Sequence, residues 1–130
     1  MNLLLVDDDS TFRFIAKTVA DKSGVAKIIA EAVNGTEALK YLSNSLSSGK
    51  GIPDMIFLDL NMPEMNGWEF LEKLPHTLDG KIDIPVCILS SSISTHDSDR
   101  SQTYACVRGM IAKPLTQEHL QKMRALIAEA

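Results

Sequence analysis

The chain has no basic run, and no apolar stretch approaches the length of a bilayer span. A membrane-crossing helix needs about 20 consecutive apolar residues. A polybasic membrane surface or a nucleic-acid surface needs clustered Lys and Arg. Both absences, with a net charge of -4, set aside direct nucleic-acid binding and membrane insertion. The N-terminus, Met1-Asn2-Leu3-Leu4-Leu5-Val6-Asp7, lacks a basic n-region and turns acidic at once, which argues against a secretory signal. Cysteine is scarce: Cys87 and Cys106 form no metal or redox spacing and read as reduced packing residues, so a cytoplasmic location is expected. His76, His96 and His119 are isolated and lack metal spacing. No repeat or low-complexity tract appears. What is present is 130 residues with 45% hydrophobic and 23% charged content, enough to pack one domain over residues 1–130.

The chain alternates short apolar runs with helical patterns. Leu3-Leu4-Leu5-Val6 suits a strand buried on both faces and is ended by three aspartates. Asp9 or Ser10 caps a helix whose apolar positions are Phe12, Ile15, Ala16 and Val19, and Ser23-Gly24 ends it. A second strand runs from Val25 to Ala32, followed by a helix begun by Asn34 with Glu37 in capping-box position. Ala38, Leu39, Leu42 and Leu46 face inward, and the Ser/Gly-rich stretch from Ser43 to Gly51 reads as a surface connection. A third strand, Pro53 to Leu58, leads to Asp59. A short helix from Asn66 to Leu74 and a polar loop from Pro75 to Asp83 follow. Pro85 to Leu89 is a fourth strand ending at Ser90. The polar segment Thr95 to Tyr104 is a short or mobile helix, Cys106 to Ala112 is a fifth strand, and Thr116 caps a last helix carrying Leu120, Met123 and Ile127. Five strand–helix alternations imply parallel strands joined by right-handed crossovers, with helices on both faces of the sheet. The expected fold is α/β, flavodoxin-like (βα)5, a doubly wound parallel five-stranded sheet, in which the strand order is 2-1-3-4-5.

Parallel strands send their C-terminal ends to one sheet edge. There the first strand delivers Asp7 and Asp8, the third Asp59, the fourth Ser90 and the fifth Lys113. With the first and third strands adjacent, the three carboxylates meet at the topological switch point. Clustered carboxylates repel, and a divalent cation relieves them; oxygen-only ligands with room for water suit Mg2+. Carboxylates also form acyl phosphates. The set therefore reads as a carboxylate that accepts a phosphoryl group with metal help, with Lys113 and the Ser90 hydroxyl pairing with phosphoryl oxygens.

Five pieces carry a resemblance: Val6-Asp7-Asp8, Phe57-Leu58-Asp59-Leu60-Asn61-Met62-Pro63, Met65-Asn66-Gly67, Ser90-Ser91 and Lys113-Pro114-Leu115-Thr116. In this order and spacing, and over essentially the whole chain, they resemble the receiver domains of two-component response regulators. The resemblance implies that Asp59 is the phosphoacceptor. It also implies that Asp7, Asp8, Asp59 and the backbone carbonyl of Asn61 hold Mg2+, that Ser90 is the switch hydroxyl, and that Lys113 pairs with the phosphoryl group. It implies a cis Lys113-Pro114 bond. A sensor histidine kinase or histidine phosphotransfer protein is the implied phosphodonor, docking near helix one. A downstream protein partner is implied on the face of strand five and its flanking helices. One position departs from the pattern: Met110 stands three residues before the lysine, where the family often has Tyr or Phe. A ring rotation at that position is therefore not available, which puts the usual hydroxyl-to-aromatic relay in doubt but leaves the phosphorylation chemistry intact.

With no output domain after the last helix, the expectation is a stand-alone switch, or a phosphorelay intermediate, with self-catalysed phosphotransfer and slow autodephosphorylation rather than enzymatic turnover. A phosphatase with an Asp nucleophile needs a general acid two residues on, where Asn61 stands. A flavodoxin-like cofactor binder needs a phosphate loop where Asp7-Asp8-Asp9 would repel it. A degenerate receiver, acting as a phosphorylation-independent protein-interaction module, is the remaining alternative. Around the site, Asp9 is assigned to capping, Glu64 and Asn66 to the loop beyond Asp59, and Trp68 to packing.

Overall fold

The computed structural model describes residues 1–92 and 94–128. Five strands and five helices alternate: β1 Asn2–Val6, α1 Ser10–Ser23, β2 Lys27–Ala32, α2 Gly35–Ser48, β3 Met55–Asp59, α3 Gly67–Leu78, β4 Val86–Ser90, α4 Thr95–Ser101, β5 Val107–Ala112 and α5 Gln117–Ala128. The strands form one sheet in the order β2-β1-β3-β4-β5, every pairing parallel. This is the expected flavodoxin-like arrangement.

The period of two along the strands divides the core. Leu4, Val6, Ile56, Leu58, Val86 and Ile88 face Ala38 and Leu42 of α2 and Phe70, Leu71, Leu74 and Leu78 of α3. Leu3, Leu5, Met55, Phe57, Cys87 and Leu89 face Ala16 and Ala20 of α1 and Leu120 of α5. The continuous apolar runs of β1, β3 and β4 are the consequence of covering both faces. Ile15 does not join the core: it is 47% exposed, as Phe14 is 69% exposed. The inward face of α1 is set by the small residues Ala16 and Ala20, which let the helix lie close to the sheet.

Two helices outrun the sequence expectation. The stretch Ser43 to Ser48 is helical rather than a connection, because Leu42, Ser45 and Leu46 continue the inward stripe. Gly49 then ends α2 in the left-handed region. Likewise α3 runs through Pro75 to Leu78. A mid-helix proline costs about 3 kcal/mol. Burial of Leu74 and Leu78 on either side contributes roughly 1.5–3 kcal/mol each and offsets it. Asp79, in the left-handed region, closes the helix with its N–H on the Pro75 carbonyl.

Caps account for the helix starts nearest the sheet edge. The Asp9 carboxylate accepts from the N–H groups of Thr11 and Phe12. Asn34 accepts from Glu37 N–H at α2, while the Glu37 carboxylate reaches Val33 N–H. Asn66 and Glu69 form a reciprocal capping box at α3, so Asn66 is a helix cap rather than a loop residue. At α5, Thr116 and His119 cap each other reciprocally, which gives the half-buried His119 a structural role.

Gly67 is required by a close approach. A Cβ there would stand 2.6 Å from the Asp59 carbonyl oxygen and 2.9 Å from the Leu60 Cα. Both are backbone atoms of the segment that carries the candidate site, and neither can step aside. Gly67→Ala is expected to cost about 1–3 kcal/mol, read as a lowered urea midpoint. Gly35→Ala meets only the flexible Met65 side chain and is expected to cost less; equal midpoints for Gly67→Ala and wild type would refute the argument.

Candidate functional site

The C-terminal ends of β1, β3, β4 and β5 bring the sequence-selected side chains together. Asp59 is the last residue of β3 and Ser90 the last of β4. Asp7 and Asp8 follow β1, and Lys113 follows β5 directly. The ladder continues past the strand ends: Asp7 N–H donates to the Ala32 carbonyl at 3.0 Å and Lys113 N–H to the Ser90 carbonyl at 2.7 Å. These bonds hold the backbones of the charged residues, so their side chains project from a rigid edge. The Lys113-Pro114 peptide is cis.

Carboxylate oxygens of Asp7, Asp8 and Asp59 all lie within 4.8 Å of one another. Asp7 is fully buried, Asp59 is 7% exposed, and Asp8 is open to solvent. Lys113 Nζ stands 2.7 Å from Asp7 Oδ2 and 3.8 Å from Asp59 Oδ1. The other Asp7 oxygen accepts from Asp9 N–H at 2.9 Å. Asp7 is thus well satisfied. Among the described residues, Asp59 has the more distant ammonium and a long 3.4 Å bond from Asn61 N–H. Burial first, then the neighbouring Asp7 charge, push the Asp59 carboxyl up to about 6, with Lys113 and the Asn61 N–H pulling the other way. One ammonium cannot balance three carboxylates. The donor set is all oxygen, converges on one point and is short of positive charge, which fits a hard divalent cation.

Ser90 is 3% exposed. Its hydroxyl donates to the Ser92 carbonyl at 2.8 Å and accepts from Ser92 N–H at 3.2 Å, so it belongs to a local turn. Met110 is half-buried against the α2/α3 side of the core. Trp68 is more than packing: its ring stacks on Tyr104 at 5.9 Å and lies 4.4 Å beneath the Arg100 guanidinium. The Tyr104 hydroxyl donates to Glu72 at 2.6 Å. This aromatic–cation ladder ties the polar α4 to α3. Cys87 and Cys106 are free. Burial pushes the Cys87 thiol up to about 12 and raises that of Cys106, in keeping with inert packing thiols.

Two supports were not legible beforehand. Arg13 donates from Nη1 to the Asp7 carbonyl at 2.8 Å and pairs through Nε with Glu31 at 3.1 Å, bracing the β1 exit. The β2 exit, ordinary as sequence, supplies Asn34, whose amide donates to Glu64 at 3.2 Å, while Gly35 N–H donates to the Met65 carbonyl at 3.1 Å. Together they fasten the loop after Asp59 to the start of α2. Both depend on side-chain reach across elements, which no local pattern encodes. No helix among the described residues is long and apolar enough to cross a membrane.

A family model described as the response regulator receiver domain matches residues 3–125. Among solved structures, a two component response regulator from Cytophaga hutchinsonii superposes with a TM-score of 0.89 at 28% identity, covering 99% of this chain and 97% of that one. The CheX-CheY-BeF3-Mg+2 complex from Borrelia burgdorferi matches with a TM-score of 0.77 at 25% identity, over 100% of this chain and 90% of that one. Among curated proteins, a protein-glutamate methylesterase/protein-glutamine glutaminase of Treponema denticola is 42% identical over 91 residues, 70% of this chain. The chain spans 22% of that relative's length.

Proposed function

From the premise that this chain belongs to the response regulator receiver domain family, whose members are typically phosphorylated on an aspartate, we propose that Asp59 is its phosphoacceptor. The observation that carries the reading is the convergence of Asp7, Asp8 and Asp59 within 4.8 Å around one lysine. A sensor histidine kinase or histidine phosphotransfer protein supplies the phosphoryl group, and a downstream protein reads the result. Residues 1–130 act as one receiver module in the cytoplasm. A place as a phosphorelay intermediate uses the same chemistry.

An Asp59 carboxylate oxygen attacks the phosphorus in line. The new O–P bond forms as the P–N bond of a phosphohistidine breaks, and the leaving imidazole nitrogen keeps the electron pair. Asp7, Asp8, Asp59 and the Asn61 carbonyl would hold Mg2+, which when bound neutralises charge on the incoming group. Lys113 leaves its pairing with Asp7 to meet a phosphoryl oxygen. The Ser90 hydroxyl gives up the Ser92 carbonyl to donate to another, and this exchange of partners is the conformational signal. Asn61, two residues after Asp59, cannot serve as a general acid, so the acyl phosphate is lost slowly and no exogenous phosphoester is turned over.

The test is intact mass after incubation with acetyl phosphate, with and without Mg2+. One added phosphoryl group only with Mg2+, mapped to Asp59, supports the reading. If neither phosphoryl uptake nor beryllofluoride binding occurs, the chain is a phosphorylation-independent interaction module instead.

A further inference from the structure

The geometry points to Phe12 as a positioning residue for Lys113, holding the ammonium beside Asp59 through a cation–π contact. Among the described residues, Lys113 Nζ has two carboxylate partners and one aromatic one: Asp7 Oδ2 at 2.7 Å, Asp59 Oδ1 at 3.8 Å and the Phe12 ring, whose centroid lies 4.3 Å away. The inference rests on the phosphoacceptor reading, because two of these neighbours change their engagements in that reaction. In that reading Asp7 is a carboxylate of the metal-binding set, and Asp59 becomes an acyl phosphate. The ring carries no charge to be claimed and no atom to be modified, so the reaction itself makes no demand on this contact.

The ring's place is itself fixed. Phe12 is the third residue of α1, and its N–H donates to Asp9 Oδ1 at 3.2 Å, beside Thr11 N–H at 2.9 Å. Asp9 thereby anchors the first turn of α1, and the half-buried ring covers the lysine. The Lys113 side chain is 18% exposed, so the contact is largely desolvated, the condition under which a cation over an aromatic face is strongest. A leucine at this position would fill similar space without the quadrupole. Phe12 also packs against the α1/α5 side of the core, so the test must separate that packing from the cation–π contact.

Phe12→Leu and Phe12→Tyr separate the two. Phe12→Leu is expected to slow phosphoryl uptake from acetyl phosphate roughly three- to thirtyfold, while Phe12→Tyr stays close to wild type. In the metal-free protein, the Lys113 ε-methylene proton resonances should lie upfield through the ring current in wild type and Phe12→Tyr, and return to ordinary positions in Phe12→Leu. Equal uptake rates for Phe12→Leu and wild type, or a Phe12→Tyr rate as slow as Phe12→Leu, would overturn the inference. So would an unshifted Lys113 resonance in wild type. Absence of both uptake and beryllofluoride binding in wild type, with the upfield shift intact, would overturn the phosphoacceptor reading, and the positioning role with it, while leaving the contact established.

Discussion

Asp59→Asn is expected to make the metal-free protein more stable at pH 7.5 by about 2–3 kcal/mol while abolishing phosphoryl uptake. The carboxyl is pushed up from 3.8 to about 6 in the folded protein, by burial and then by the adjacent Asp7 charge. The native state therefore holds this proton more tightly than the unfolded chain does. Stability from that preference is fully present below about pH 4 and is lost as pH rises through about 6. Each tenfold gain in proton affinity corresponds to about 1.4 kcal/mol, so ionising Asp59 costs about 3 kcal/mol by pH 7.5. Asparagine removes the charge and the cost. Urea unfolding in the presence of a chelator, at pH 7.5 and at pH 4, checks this: the gain should be large at the first and well under about 1 kcal/mol at the second. Other carboxyls titrate alike in both proteins and cancel in the difference. Adding Mg2+ should stabilise the wild type and leave Asp59→Asn nearly unmoved. An equal response to Mg2+ in both would remove Asp59 from the metal-binding set. A variant no more stable than wild type at pH 7.5 would mean that Asp59 is not charged at a cost.

Lys113→Met carries the second large effect, with the opposite sign. Lys113 is the ammonium at 2.7 Å from the fully buried Asp7 and at 3.8 Å from Asp59. Removing one partner of a buried pair leaves an uncompensated charge, which costs about 3–5 kcal/mol. The metal-free variant is therefore expected to lose that much at pH 7.5. Two manipulations should restore most of it: Mg2+, which supplies positive charge to the same carboxylates, and the second substitution Asp7→Asn, which removes the stranded charge. If Lys113→Met is as stable as wild type without metal, the pair contributes nothing net. If neither Mg2+ nor Asp7→Asn restores stability, the loss comes from packing of the lysine stem.

These predictions share a cause. The sheet edge concentrates like charge where it cannot be solvated, and the fold tolerates it because strands buried on both faces hold the backbone. The site is destabilised in the resting, metal-free protein, where burial and the Asp7 charge both disfavour the Asp59 carboxylate. Such local conflict within an otherwise consistent fold is where function is to be sought.

Much of this was determined by the sequence alone. While the strand order comes from the flavodoxin-like fold, apolar runs ended by Asp7, Asp59, Ser90 and Lys113, alternating with helical patterns, suffice for a parallel sheet and the edge where those residues meet. Two local periods and one handedness rule carry that information. The caps at Asp9, Asn34 and Thr116 are equally local. Other features were decided only by tertiary structure, and each involves a trade between distant groups. Pro75 lies within α3 because Leu78 beyond it finds the core. Ser43 to Ser48 are helical because Ser45 and Leu46 pack. Ile15 is outside because Ala16 and Ala20 lie against the sheet. Within the site, the pairing of Lys113 with Asp7 more closely than with Asp59 follows from side-chain reach. So do the Phe12 ring over that lysine and the bracing by Arg13 and Asn34. Strand ends set which residues meet; distances of a few ångströms, settled by packing, set which of them carry the charge.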